Sequence, residues 1–463
     1  MTASRTSTEL RFEPPGPGSW EQDPVHFPRP LTRYFQETHP PSFKRGTNDF
    51  ARFYGMLIDG LQISYVQGFA YNQVLPTPEA EVPERFQRAE QVFAQRLWRE
   101  QLRDWDENRK PSAIATHREL QSVNPDALSD AELVAYLTRC RDHHSAMIAQ
   151  HMRFTAAAVL PTGDFLAHVG AWTGLPPSEL LGLMRGSAEV SAGGSDEMWR
   201  LKTAMAEDPA AREFLASDGD PAQMLASLRS RGREAGAAVC GYLDLVGNRL
   251  VDGFDIAEPS MLELPDALLR AIRIAISGEA QAASDLDARI AEVRARVPAA
   301  HQTEFDELLG EARLTYRLRD ERGVYSDIWA AGLMRRAALA AGRRVASRGR
   351  IASPPHMLDA SLDEMCALVA ATGGPSAHEL ARRADYRATY TAKDVPPVLG
   401  PPAPPPPDLS ALPPSVGRLM RATFIALGHV FGSSLAQNEE KVLYGLAASK
   451  GVYEGSARRR PTN

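Results

Sequence analysis

LSDAELVAYLTRCRDHHSAMIAQH, residues 128–151, opens on a polar pair and then repeats its apolar positions at a helical interval. Ser129 and Glu132 have capping-box spacing: the Ser129 hydroxyl accepts from the backbone three residues on, and Glu132 reaches back to the Ser129 N–H. Leu133, Tyr136, Leu137, Cys140, His144, Ile148 and His151 then fall at the spacing of one buried helix face. The same pattern recurs along the chain. Residues 265–278 predict a helix with Leu268, Leu269, Ile272 and Ile276 turned inward. A long periodic stretch runs from Thr303 to Gly349, with Gly323 as its expected interruption. Ser361 and Glu364 form another capping box ahead of a helix through Met365 and Leu368. Residues 416–431 read as one more helix. The only strand-like run expected before the C-terminus, residues 239–256, is short and rich in Gly and Asp, so it reads mostly as loop. Strand–helix alternation of the doubly wound type is not seen. The expected fold class is predominantly all-α.

Bulk properties narrow the function classes. A chain of 463 residues buries a large core and has room for two to four domains. Its formal charge of -6 gives no reason to expect nucleic acid or an anionic membrane as a partner. No apolar run approaches the roughly 20 residues that span a bilayer, and the polar, Pro/Gly-rich start lacks the apolar core of a secretory signal. Cys140, Cys240 and Cys366 are far apart, odd in number and lie among apolar neighbours. They read as small core residues in a reducing cytoplasm, with a catalytic thiol as the rival. Residues 395–414 hold ten of the 35 prolines. Proline fixes its own backbone and biases the preceding residue toward extended geometry, so this is a stiff spacer or an exposed proline-rich ligand.

Several segments, taken in order, resemble one family. Gly18-Ser19-Trp20-Glu21 is followed by His26-Phe27-Pro28-Arg29-Pro30; Gly247-Asn248-Arg249 by Phe254-Asp255 and Glu263-Leu264-Pro265. Leu318-Arg319-Asp320-Glu321-Arg322 and Tyr325 precede Arg335-Arg336, Gly342-Arg343-Arg344 and Arg348-Gly349. This order resembles the central acceptor-binding domain of the dikinase-type phosphotransferases that include phosphoenolpyruvate synthase, rifamycin phosphotransferase and phenylphosphate synthase. Residues 446–458, ending in Glu454-Gly455-Ser456-Ala457-Arg458, resemble the opening of that family's phosphohistidine swivelling domain. The resemblance implies a flexible tail at 1–16, a helical acceptor-binding domain at 17–395, a Pro-rich linker at 396–415, a helix and connector at 416–444, and a truncated swivelling-domain start at 445–463.

The family relay passes a phosphoryl group from ATP to a carrier histidine and then to the acceptor. The resemblance implies that Arg319 steadies the phosphoryl oxygens and that Asp320 or Glu321 receives the acceptor proton, as phosphoryl transfer requires. It places Trp20, His26, Phe27, Arg29, Asn248, Arg249, Asp255 and Tyr325 around the substrate. Aromatic faces, imidazoles and guanidinium groups suit a small hydroxylated acceptor and its incoming anion. Two positions depart from the family. Asn248 stands where many relatives have a histidine, and Gly323 or Val324 where a relative has a lysine. Blander readings stand beside each role: an arm anchored by Trp20 and Phe27, an Arg249–Asp255 pair fixing a loop, and a solvated mixed-charge face at 319–322.

Two further features carry less. Thr372-Gly373-Gly374-Pro375-Ser376-Ala377-His378 resembles a phosphohistidine loop, but its spacing is off and its flanks are helical. His143, His144 and His151 share one helix and read as pocket or core histidines, or as a metal site still short of partners. No metal ligand set is assigned. No phosphate-cradling Gly-rich loop occurs. The expected function is the acceptor-binding component of a split ATP-dependent phosphotransferase. This chain itself would bind no cofactor. A separate ATP-grasp subunit would bring ATP and Mg²⁺, and another chain the phosphohistidine carrier domain. The alternatives are a non-catalytic small-molecule binding or sequestering protein, and a truncated remnant.

Overall fold

A computed structural model describes residues 10–187, 196–277, 284–403 and 408–430. The swivelling-domain resemblance at 446–458 and most of the connector before it lie outside these residues.

The helix Asp130–Arg153 forms where the sequence places it, and its capping box is made: Glu132 N donates to Ser129 Oγ at 3.3 Å, and Ser129 N to Glu132 Oε2 at 2.8 Å. It packs between the helices Arg33–Tyr54 and Asp327–Ser347. The crossing with Arg33–Tyr54 leaves no room for a side chain at Gly46, where a Cβ would lie 2.4 Å from the Ala149 carbonyl. Helix Thr155–Thr173 continues the body and packs on Gln302–Tyr316 and Pro414–Val430. Asp164 clamps the last of these, accepting from Arg418 Nε and Nη2 at 2.8 and 2.7 Å. The main apolar core runs through these elements, with a second around Phe165, Phe305 and Leu309. A third joins helices between residues 196 and 277 through Leu201, Val239, Leu243 and Leu269.

Predominantly helical architecture is thus what the chain adopts. The predicted helices at 265–278, 361–368 and 416–431 appear as Pro265–Ser277, Leu362–Val369 and Pro414–Val430, the second behind the Ser361/Glu364 box. Within the described residues, no helix is long and apolar enough to cross a membrane.

Three expectations need correction. The periodic stretch 303–349 becomes Gln302–Tyr316, Leu318–Val324 and Asp327–Ser347. Its main break is at Tyr325–Ser326, and Gly323 stays helical. Residues 239–246 are not loop but the second half of helix Arg233–Val246, because Val239, Tyr242 and Leu243 join an apolar cluster in which this helix packs on Asp196–Glu207 and Pro221–Arg229.

The largest correction is a small antiparallel sheet in order β2-β3-β1-β4: β1 Trp20–Gln22, β2 Ile58–Val66, β3 Phe69–Pro76 and β4 Val398–Leu399. Gln67 and Gly68 turn the β2–β3 hairpin with φ of 52° and 81°, the left-handed pair that a tight two-residue turn requires. β4 comes from the segment expected to be a spacer. Extended, donor-poor proline-flanked backbone suits a sheet edge, and Gln22 N donates to the Pro397 carbonyl at 2.9 Å.

Candidate functional site

Helix Leu318–Val324 sorts the predicted catalytic residues into two groups. Glu321, 3% exposed, accepts from Trp105 Nε1 at 2.8 Å, Arg317 Nη1 at 2.9 Å and Lys110 Nζ at 3.1 Å. All three bonds fall on Oε2 and join this helix to the segment around Trp105, so Glu321 acts as an anchor. Arg319 and Asp320 lie elsewhere on the helix. Arg319 Nε donates to Asp320 Oδ1 at 3.2 Å, and its Nη1 to the Tyr316 hydroxyl at 2.7 Å. Arg322 is 4% exposed. Burial brings its guanidinium down to about 10, against the pull of Asp327 and Asp320. Its charge is felt by both His26 and His151.

Those two imidazoles each hold a carboxylate. His151, in the last turn of Asp130–Arg153, places Nδ1 2.7 Å from both oxygens of Asp327, the first residue of the next long helix. His26 places Nδ1 3.0 Å from both oxygens of Asp23, in the turn after β1. The Phe254 ring stands between them, with its centroid 5.8 Å from His151 and 6.4 Å from His26. Phe27 packs on the same ring at 6.3 Å and on Phe35 at 5.8 Å. Asp255 fixes the Phe254 loop: its carboxylate accepts from Thr32 N at 2.7 Å and Thr32 Oγ1 at 2.6 Å. Burial raises the Asp255 carboxyl, and the Thr32 bonds only partly offset this.

The two pairs titrate in opposite directions. The Asp23 hydrogen bond raises His26 above its ordinary value. Burial lowers His151, with Asp327 pulling the other way. His26 therefore favours the cation and His151 the neutral ring, which donates its Nδ1 proton to Asp327. A half-buried aromatic wall, a cation-prone imidazole, a neutral imidazole and a guanidinium thus share one neighbourhood.

The other predicted site residues lie apart from it. Arg249, 9% exposed, is held by rings, its guanidinium 4.8 Å from the Tyr325 centroid and 5.3 Å from that of Trp329. Its Nε and Nη2 are buried without a hydrogen bond, and burial lowers its pKa. The alternative Arg249–Asp255 pair is not formed, because Asp255 is engaged by Thr32. Asn248 Nδ2 donates to Gln121 Oε1 at 2.8 Å, and Gln121 also accepts from Trp329 Nε1. Arg249, Asn248 and Tyr325 are therefore gathered around Trp329 and Gln121. Trp20 belongs to the core of the sheet with Phe69, Tyr71 and Leu399. Arg29 Nη1 donates to the Ala388 carbonyl at 2.9 Å. The arginines after Tyr325 mostly lash loops: Arg335 bonds Glu263 at 2.7 and 2.8 Å, Arg343 bonds Asp126, and Arg344 and Arg348 bond Asp130.

Residues 145–320 match the sequence model of the rifampicin phosphotransferase fourth domain. The matched stretch holds His151, Asn248, Arg249, Phe254, Asp255, Arg319 and Asp320, and ends just before Glu321, Arg322 and Asp327. The match supports the resemblance to dikinase-type phosphotransferases over this part of the chain. No curated protein matches the chain.

His143, His144 and His151 point three ways: to His117 at 2.9 Å, to the Tyr34 hydroxyl at 2.8 Å and to Asp327. Among the described residues no group of three or more His, Cys, Asp or Glu is arranged to hold a metal ion. His378 sits exposed in the first turn of a helix capped by Ser376. Two open cavities, of about 640 and 530 Å³, lie elsewhere. The first is lined by Arg45, His143 and Arg153, the second by Phe93, Glu311 and Arg418; neither is lined by Arg249 or Arg319.

Asp23 and Asp327 carry no local sequence signal of a site, and Arg322, Phe254 and His151 lie in recognisable segments without a pattern that assigns them a role. His151 and Asp327 are 176 positions apart, and no local spacing joins them.

Proposed function

We propose that this chain is the acceptor-binding component of a dikinase-type phosphotransferase, presenting a small hydroxylated aromatic molecule to a phosphohistidine. The phosphoryl group comes to it from a phosphohistidine carrier domain charged by an ATP-grasp domain with its ATP and Mg²⁺. The acceptor lies against the half-buried Phe254 ring beside the exposed His26, a place termed the mouth. Supporting this reading most is the convergence on Phe254 of two imidazole–carboxylate pairs and the Arg322 charge. Aromatic walls suit a flat acceptor. Arg322 and His26 supply positive charge for phosphoryl oxygens, the main requirement of a loose phosphoryl-transfer transition state.

Arg319 and Asp320 extend the charged rim. Arg249 is held against Tyr325 and Trp329 and is given no part in this contact. The test mixes the chain with an ATP-grasp protein and a phosphohistidine carrier of this family, γ- and β-labelled ATP, and a panel of phenols. Labelled aryl phosphate that appears only with this chain present is the expected result. Saturable phenol binding without product would instead identify a sequestering protein, and absence of both would remove the acceptor site altogether.

A further inference from the structure

Among the groups at this mouth, one is built to accept a proton. His151 Nδ1 is tied to Asp327 at 2.7 Å, and its Nε2 makes no hydrogen bond among the described residues. His144 differs: it is fully buried and its Nε2 has no partner, whereas 7% of the His151 side chain is exposed. The scaffold fixes the ring from several sides. Gln150, the preceding residue, donates from Nε2 to Ser326 Oγ at 3.1 Å, just before Asp327. A Cβ placed on Gly323 would lie 3.6 Å from His151 Cε1 and 3.2 Å from Ile328, so the helix backbone approaches the imidazole edge closely. Phe254 covers the ring from the Asp255 loop.

We propose that His151 Nε2 is the general base for the acceptor hydroxyl and that Asp327 is its positioning residue. This rests on the reading of the mouth as the acceptor site, and it replaces Asp320 and Glu321 as receivers of the proton. Glu321 is occupied by three donors, and Asp320 is engaged by Arg319.

The step balances as follows. The acceptor oxygen forms a bond to the phosphorus of an N-phosphohistidine donor. The P–N bond breaks, and its electron pair returns to the carrier imidazole. The hydroxyl proton moves to His151 Nε2, and the resulting imidazolium is stabilised by the Asp327 carboxylate. A neutral imidazole whose Nδ1–H faces a carboxylate is the tautomer such a base needs. The charges around it are Asp327 from its own pair, Arg322 from helix Leu318–Val324, His26 from the N-terminal turn and His39 from helix Arg33–Tyr54. Arg322 and His26 oppose the protonated ring, so proton release after transfer is favoured.

Two measurements decide it. In ¹⁵N NMR of the histidine-labelled full chain at neutral pH, His151 should carry its proton on Nδ1, with an unprotonated Nε2 that shifts on adding phenol. In the reconstituted transfer assay, His151→Gln, which retains the chance to bond Asp327, should lower kcat by about 10²–10⁴-fold with little change in KM. Asp327→Asn should retain folding, lower kcat and move the acidic limb of the pH–rate profile. His26→Gln should weaken the reaction and move that limb toward higher pH, opposite to Asp327→Asn, because a charge that opposes the protonated ring is gone. A chain that binds none of the phenols sinks the acceptor reading. Phenol binding with an Nε2-protonated His151, or turnover by His151→Gln at the parent rate, overturns the base assignment alone.

Discussion

Arg249 and Glu321 are both buried charges flagged by the same family pattern, yet their surroundings differ. Glu321 gathers three donors on its Oε2. Removing it strands Lys110, Arg317 and the Trp105 indole, so Glu321→Ala should cost about 3–5 kcal/mol in urea unfolding. A loss under 1 kcal/mol would show that water replaces the carboxylate. Arg249 has aromatic faces but no ion pair, with two nitrogens unsatisfied. Arg249→Met keeps the packing volume and removes an uncompensated charge, so stability should hold within about 1 kcal/mol or rise.

His144 sets a pH response. Burial lowers its folded value to about 4, below the ordinary 6.5. The unfolded chain therefore takes up a proton that the folded chain refuses. Stability should fall as pH drops from 6.5 toward 4, by about 1.4 kcal/mol per pH unit for this group, and be flat above. His39 and His117, near 3, and His143, near 4, act with the same sign. The raised Asp255 acts oppositely. Unfolding at pH 7.5 and 5.0 should show a smaller pH slope for His144→Gln than for the parent; equal slopes would mean that the imidazole is not buried neutral.

At the scale of elements, close backbone approaches do what side-chain patterns cannot announce. A Cβ at Gly332 would lie 1.5 Å from the Asn248 carbonyl, and one at Gly163 would lie 1.9 Å from that of Ala422. Both glycines lie inside helices, where alanine is intrinsically favoured. Gly332→Ala should nevertheless destabilise by about 3 kcal/mol or more, because helix Asp327–Ser347 must move off the loop that holds Asn248 and Arg249. Stabilisation instead would show that this contact is looser than the structure has it.

What was legible also follows element lines. Capping boxes at Ser129 and Ser361 are complete within four residues, so the sequence displays them in full. The hairpin was missed although Gln67-Gly68, flanked by Tyr65 and Phe69, carried its turn signal. Its strands are only partly buried, so their alternation is diluted by polar residues. β4 hid inside a proline-rich run, because its pairing with Trp20 and Glu21 crosses most of the chain.

Across the whole molecule, the mouth draws on segments near residues 25, 151, 254, 322 and 327, which meet only once the helices have packed. The family pattern pointed to His26, Phe27, Arg319 and Asp320 near this place. It could not pair His151 with Asp327, since such a contact has no sequence period. Helix Pro414–Val430 closes the body through the Arg418–Asp164 clamp. Arg418→Ala should strip hydrogen-exchange protection from that helix and leave the mouth protected; loss of protection at both would make the clamp a global support. The most direct trial of the proposed mouth is photolabelling of the full chain with an azidophenol, read by peptide mass spectrometry. Labels competed by phenol should fall on Phe27, Phe254 and their neighbours. Competed labels confined to the cavity of Arg45, His143 and Arg153 would contradict the account.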